Sequence, residues 1–213
     1  LFDFSNNGHG IVPDYTGRPK FHINDNGVGY LVFSGYGENY DSGGSLQSHT
    51  FFILKTEDYG ETWVFDGNTF ANEIFGFISD VELNQIMLDA GLLGGTVQDV
   101  NGNDVILDQA FMGYHYQVFT DNNDELHIVT TALPKNSESD SLYAGYPGAG
   151  YYHLHNSDPY FNGGGWSASL IRDMSDSYKV QMKPYFPTWQ YLYADVALSL
   201  SGETIWTVTS AIR

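Results

Sequence analysis

Thr56-Glu57-Asp58-Tyr59-Gly60-Glu61-Thr62-Trp63 follows the apolar run Phe51-Phe52-Ile53-Leu54 and satisfies the pattern Ser/Thr-x-Asp-x-Gly-x-Thr-Trp at every fixed position. These residue types specify a β-turn. Asp58 and Thr56 can accept hydrogen bonds from nearby backbone N–H groups, and Gly60 supplies backbone angles that a Cβ forbids. Trp63 then restarts a strand by covering the hairpin. The motif speaks for a fold rather than for an activity.

Working outward, three further segments share one plan of strand, short polar turn and strand. They are Phe21–Asn24 with Asn26-Gly27 and Tyr30–Phe33; Tyr116–Phe119 with Asn122-Asn123 and Leu126–Val129; and Val196–Leu198 with Ser201-Gly202 and Thr204–Val208. Asn-Gly and Ser-Gly suit two-residue turns that demand positive φ. The flanking strands carry apolar groups on both faces, so they require cover on two sides. The design also repeats. Phe51–Asp58 aligns with Tyr151–Asp158 at an offset of 100 residues, and the turns at Asn26 and Asn122 are 96 apart. In the second copy Pro159–Gly164 opens the turn before Gly165-Trp166, giving a degenerate form of the motif around Asp158, with 167–171 as an outermost strand.

The eight-residue motif is an Asp-box, and the chain resembles the sialidase-like, Asp-box (BNR repeat) family of β-propellers, in which the box joins the two outer strands of a blade. The resemblance implies an all-β fold: an incomplete propeller of about two full blades plus part of a third, with a short helix-containing insertion. The expected divisions are 1–18 as the end of a preceding blade or a linker, 19–66 as a blade with its Asp-box (Thr56, Asp58, Gly60, Thr62, Trp63), and 67–110 as the insertion. A blade with the degenerate box follows at 111–172, then the inner hairpin of a further blade at 190–213. Within the insertion, Ser79-Asp80-Val81-Glu82 is a capping-box signature and Leu83, Ile86, Met87 and Ala90 recur at helical spacing, predicting a helix over 80–90 stopped by Gly91. A hairpin is expected over 96–107 around Asn101-Gly102, as an excursion on the insertion. Propellers of this type need about six or more blades of roughly 40 to 50 residues. The remaining blades are therefore expected from the same protein or from another chain.

Composition narrows the function. The 213 residues are 42% hydrophobic and 16% aromatic, with 24 Gly and only 16% charged residues, as expected for many short strands between tight turns. A formal net charge of −18 with eight Lys plus Arg opposes nucleic-acid and anionic-membrane binding, which depend on clustered cations. The absence of Cys removes disulfides and thiolate metal sites. No apolar stretch approaches a membrane span. The resemblance and the acidic, Tyr/Gly/Asn-rich composition together imply an extracellular or cell-surface location.

For chemistry, the family resemblance implies three arginines on a carboxylate, a Tyr/Glu nucleophile pair and an acid/base Asp. Only Arg18, Arg172 and Arg213 exist, and Arg172 ends the expected outermost strand, so no catalytic residue is assigned. His153-x-His155 would point two imidazoles to one side of a strand, a geometry zinc can use. No third ligand is placed by the sequence, and the pair reads as two half-exposed strand histidines. His9, His22, His49, His115 and His127 read as ordinary turn or strand residues, and no metal ligand is assigned. Asp99-x-Asn101-x-Asn103 begins like a calcium loop but has Asp104 and Ala110 where that loop needs Gly and Glu, and reads as a hairpin turn. Ca²⁺ is the one cofactor that the acidic turns could accommodate. The aromatic stretches 143–152 and 158–166 present flat rings with hydrogen-bonding tips, which either fill gaps between irregular blades or suit a glycan or a cell-surface protein. Tyr146, Tyr151, Tyr160 and Trp166 are the candidate ligand-binding residues. The expected function is that of a non-catalytic propeller portion giving structural support and carbohydrate or protein recognition. The alternative is part of a sialidase-like glycoside hydrolase whose active site lies mostly outside this segment.

Overall fold

Apolar residues at every second position form strands, and nearly all of the regular structure is β. A computed structural model describes residues 18–36, 48–63, 76–99, 101–138, 141–157, 165–176, 194–199 and 204–209. The first meander comprises β1 (Lys20–Ile23), β2 (Gly29–Tyr36), β3 (His49–Thr56) and the short β4 (Gly76–Phe77). The helix α1 (Asp80–Asp89) and the hairpin β5 (Thr96–Gln98) and β6 (Asp104–Ile106) follow. A second meander holds β7 (Gln109–Thr120), β8 (Leu126–Lys135), β9 (Gly150–Asn156) and β10 (Trp166–Asp173), and the last hairpin is β11 (Ala194–Leu198) with β12 (Ile205–Thr209). Both meanders are antiparallel throughout, and a single parallel bridge, His49 to Phe111, joins them into one mixed eight-stranded sheet.

The hairpins at Asn24, Asp99 and Asp121 form where expected, with loops of three residues, while the Ser201-Gly202 turn lies outside the described residues. In each, the first residue's N–H donates to the fifth residue's carbonyl and its own carbonyl accepts from the fourth: Asn24 with Val28 and Gly27, Asp99 with Asn103 and Gly102, Asp121 with Glu125 and Asp124. The fourth residue has positive φ, +85° at Gly27, +84° at Gly102 and +66° at Asp124, the arrangement of a type I turn followed by a left-handed residue. An Asx side chain selects this form. The Oδ1 atoms of Asn24, Asp99 and Asp121 each accept from the backbone N–H groups two and four residues on, at 2.8–3.1 Å, so the loop amides need no tighter turn.

In the second meander β7, β8 and β9 are covered on both faces. From one face Met112, Tyr116, Val118, Ile128, Tyr152 and Leu154 join Tyr30, Val32, Phe51 and Ile53 of the first meander in the larger core cluster. The Tyr116 ring meets Phe51 edge-on at 5.0 Å, and its hydroxyl donates to the carbonyls of Val32 and Arg18. From the other face Phe111, Phe119, Val129, Leu133 and Tyr151 form a second cluster, against which Val196 and Ile205 of the last hairpin pack. Each such buried side chain contributes roughly 1.5–3 kcal/mol relative to exposure. β10, whose side chains are mostly exposed, forms one end of the sheet.

The helix forms as its capping pattern predicts. Ser79 Oγ accepts from Glu82 N–H, and the far end closes with Leu92 N–H on the Met87 carbonyl and Gly91 N–H on the Leu88 carbonyl, with Gly91 at φ +84°. It is also part of the core. Leu83, Met87 and Leu92 are fully buried in the larger cluster, and Asn84 Oδ1 accepts from both Ser48 Oγ and Ala110 N–H. The helix thus ties the two meanders together beside their parallel bridge.

Candidate functional site

Three neighbouring strands place Phe119, His127 and His155 in one row, since Phe119 pairs with His127 and His127 with His155. Strand alternation puts His153, two residues from His155, on the same face. The rings stack: Phe119 to His127 at 4.6 Å, His127 to His155 at 4.6 Å and His127 to His153 at 5.1 Å, with interplanar angles of 20° or less. Behind the stack, His127 Nδ1 and His153 Nε2 share a hydrogen bond of 2.9 Å.

Two carboxylates reach the other edge of these rings from the loop that precedes β8. Glu125 Oε2 lies 2.7 Å from His155 Nε2, and Asp121 Oδ2 lies 3.6 Å from His127 Nε2. The loop geometry fixes both. Asp121 Oδ1 holds the N–H groups of Asn123 and Glu125, which aims the other carboxylate oxygen at the imidazole and sets Glu125 at the strand entrance. His127 Nε2 is buried and has no hydrogen-bond partner. Burial first, then the neighbouring His155 and His153, lowers the pKa of His127 to about 4, with Asp121 opposing the shift. Burial and then His155 lower His153 to about 4 as well. Both rings are therefore neutral at pH 7, with nitrogen lone pairs available. His127 Nε2, His155 Nε2 and Glu125 Oε2 all lie within 4.8 Å of one another.

His153 and His155 do share one side of a strand, as the sequence suggested. The third and fourth members were missed, because His127 and Glu125 lie 26 and 30 residues from them. Laying the strand after Asn122-Asn123 beside 151–155 in antiparallel register would have found them.

The segment Thr56–Trp63 forms the turn its residue types specify. Thr56 Oγ1 donates to Asp58 Oδ1 and accepts from Gly60 N–H, while Asp58 Oδ1 also accepts from Thr62 N–H. Gly60 has φ +88°, and Trp63 lies edge-on to Phe21 at 6.4 Å. Hydrogen bonds from Thr62 first, and then Thr56, hold the Asp58 carboxyl below its usual range. Tyr59 N–H donates to the Gly27 carbonyl, docking the turn on the β1–β2 loop.

Of the candidate ligand-binding residues, Tyr146 is half-buried and lines a cleft of about 410 Å³ with Thr96, Val97, Tyr143, Gly145 and Pro147. Tyr151 is 1% exposed and fills the second core cluster, so its ring is packing rather than recognition surface. Trp166 is half-buried against the larger cluster. Tyr160 and the Asp158 turn lie outside the described residues. At the calcium-like loop, the Asp99 oxygens accept from Asn101 N–H, Asn103 N–H and the Asn103 side-chain amide, as a hairpin turn requires. Among the described residues no helix is long and apolar enough to cross a membrane. In comparisons with known proteins, neither a family model nor a curated protein matches the chain.

Proposed function

We propose that this chain supplies blades of an Asp-box β-propeller in a larger secreted or cell-surface protein, serving structural support and recognition of a carbohydrate or protein ligand. The observation that carries the reading is the two-sided cover of β7, β8 and β9. A four-stranded antiparallel meander is flanked by another on one face and by a hairpin on the other, which is the environment of a blade within a stack. The Asp58 turn at the corner of the first meander supports the same reading. Further blades, from this protein or another chain, complete the ring.

The recognition surface is the cleft of Tyr143 and Tyr146. Rings with hydroxyl tips stack on the apolar face of a sugar while the tips bond its hydroxyls. A glycan array probed with the protein, and with the Tyr143→Ala/Tyr146→Ala variant, tests the proposal. Binding should occur and fall at least tenfold in the variant. Equal binding by both would remove the cleft as the site, and release of sugar by the full-length protein would replace recognition with glycoside hydrolysis.

A further inference from the structure

We propose that Glu125 Oε2, His127 Nε2 and His155 Nε2 form a binding site for one divalent metal ion of the zinc class, with His153 holding His127 from behind. The inference stands apart from the propeller reading, since it requires only the pairing of β8 with β9 and the loop that leads into β8.

The primary observation is the buried, unpartnered nitrogen of His127. Its ring is 8% exposed and fixed in the stack. Its Nδ1 is already engaged with His153 Nε2. If Nδ1 carries the proton, Nε2 presents a lone pair toward Asp121 Oδ2, which accepts from the Asn123 side-chain amide, and no donor reaches Nε2 itself. If Nε2 carries it, a buried N–H lacks an acceptor within bonding distance, because Asp121 Oδ2 is 3.6 Å away. Either tautomer leaves a polar atom unsatisfied in a buried place, which costs about 1–3 kcal/mol. A cation coordinated by Nε2 removes the deficit in the first tautomer. The Nδ1–H to His153 bond is then the outer hydrogen bond that metal-bound imidazoles typically make.

The second observation is that the other two donors are in place. All three donor atoms lie within 4.8 Å of one another. Bonds of about 2.0–2.2 Å in a tetrahedral site put donor atoms about 3.4 Å apart, so His155 and Glu125, now 2.7 Å apart, must separate slightly. Their side chains are each 27% exposed, which leaves room for that adjustment and a route for the ion. Asp121 stays in support, because its Oδ1 is committed to two backbone amides and its Oδ2 to the Asn123 side-chain amide. Three protein donors leave one position for water.

The donor set selects the metal. Two imidazole nitrogens and one carboxylate suit Zn²⁺ and its transition-metal neighbours, whereas Ca²⁺ demands six to eight oxygens.

The test is calorimetric titration of the metal-free protein with ZnCl₂ at pH 7, with Co²⁺ as a spectroscopic substitute. We expect one ion per chain, visible absorption bands of four-coordinate Co²⁺, and a melting temperature that rises with Zn²⁺ concentration. Glu125→Gln leaves the stack in place and His155→Ala removes only its partly exposed ring, and each should weaken Zn²⁺ binding at least tenfold. His153→Ala should weaken it about 10–100-fold, the usual effect of losing an outer partner. His115→Ala, at an exposed position on β7, should bind as the wild type does. Absence of one-to-one binding, or wild-type affinity in folded Glu125→Gln and His155→Ala, would overturn the site and leave the rings as packing alone.

Discussion

Replacing Asn24 should uncouple the two meanders, because this one side chain closes its own loop and grips the next. Its Oδ1 accepts from Asn26 and Val28 N–H at 3.0 and 3.1 Å, while its Nδ2 donates to the Asp121 carbonyl and to Asp124 Oδ1, both at 2.7 Å. The residue is 8% exposed. Neutral hydrogen bonds contribute about 0.5–1.5 kcal/mol net and those to charged groups about 1.5–3. Some freed amides regain water, so Asn24→Ala should cost about 3 kcal/mol. With a urea m-value of about 2 kcal/mol/M, the midpoint falls by about 1.5 M with m unchanged. Asn24→Asp separates the two roles, since it keeps the loop acceptor and turns the donor into a carboxylate facing Asp124 Oδ1. Two unit charges about 3 Å apart repel by up to about 5 kcal/mol at an effective dielectric of 20, less after relaxation. The Asp variant should therefore be no more stable than the Ala variant at pH 7. Repulsion raises the new carboxyl's folded pKa above its unfolded value, so the deficit is full at neutral pH and shrinks as pH falls toward about 4. An Asn24→Asp protein within 0.5 kcal/mol of wild type at pH 7, or zero coupling in an Asn24→Ala/Asp124→Ala cycle, would refute the reasoning.

Other substitutions probe separate parts of the structure. Asp58, whose carboxyl is held below its usual range, stabilises its own turn above the unfolded pKa, and this support is lost as pH falls through the lower folded pKa. Asn at that position should flatten the acid limb of the stability–pH curve; urea midpoints at several pH values between 7 and 2 that track wild type would contradict this. Tyr151→Ala should cost about 3–5 kcal/mol through the cavity left in the second cluster, and Tyr146→Ala less than half as much. Comparable losses in the two unfolding curves would mean that the burial difference has been misjudged. Ser79→Ala removes the α1 cap and should lower stability by about 1 kcal/mol, with no change in the midpoint counting against that bond.

The elements were legible in the sequence because each is set by neighbours a few residues away. The capping pattern at Ser79–Glu82, the turn signature of Thr56–Trp63 and the apolar run Leu126–Val129 all act within one turn or one strand. Loop form was less legible. Asn26-Gly27 suggests a two-residue turn, yet Asn24, two positions earlier, organises three residues by accepting from two amides. Least legible were the contacts between meanders, in which Asn24 meets Asp124, Tyr30 meets the Asp124 carbonyl and Tyr116 meets Val32. Those pairings join residues 84 to 100 positions apart, and nothing in local pattern encodes them. The histidine cluster failed for the same reason: His127 looked ordinary until strand register set it opposite His155.

The repeat itself explains why the cluster occurs in one copy. Asn24 and Asp121 occupy the same loop position, and both spend Oδ1 on the amides two and four residues on. What remains differs. The amide of Asn24 is a donor and binds the carbonyl and carboxylate of the neighbouring loop, whereas the carboxylate of Asp121 offers an acceptor and faces His127. The left-handed position diverges in parallel. At Gly27 a Cβ would lie 2.7 Å from the Tyr59 ring, so glycine lets that ring close over the loop; at the matching Asp124, the side chain receives the amides of Asn24 and Asn26. One loop geometry therefore supports two outcomes. In the first copy its side chains hold the adjoining meander and seat the Asp58 turn, and in the second they place two carboxylates at the edge of a stack of imidazoles.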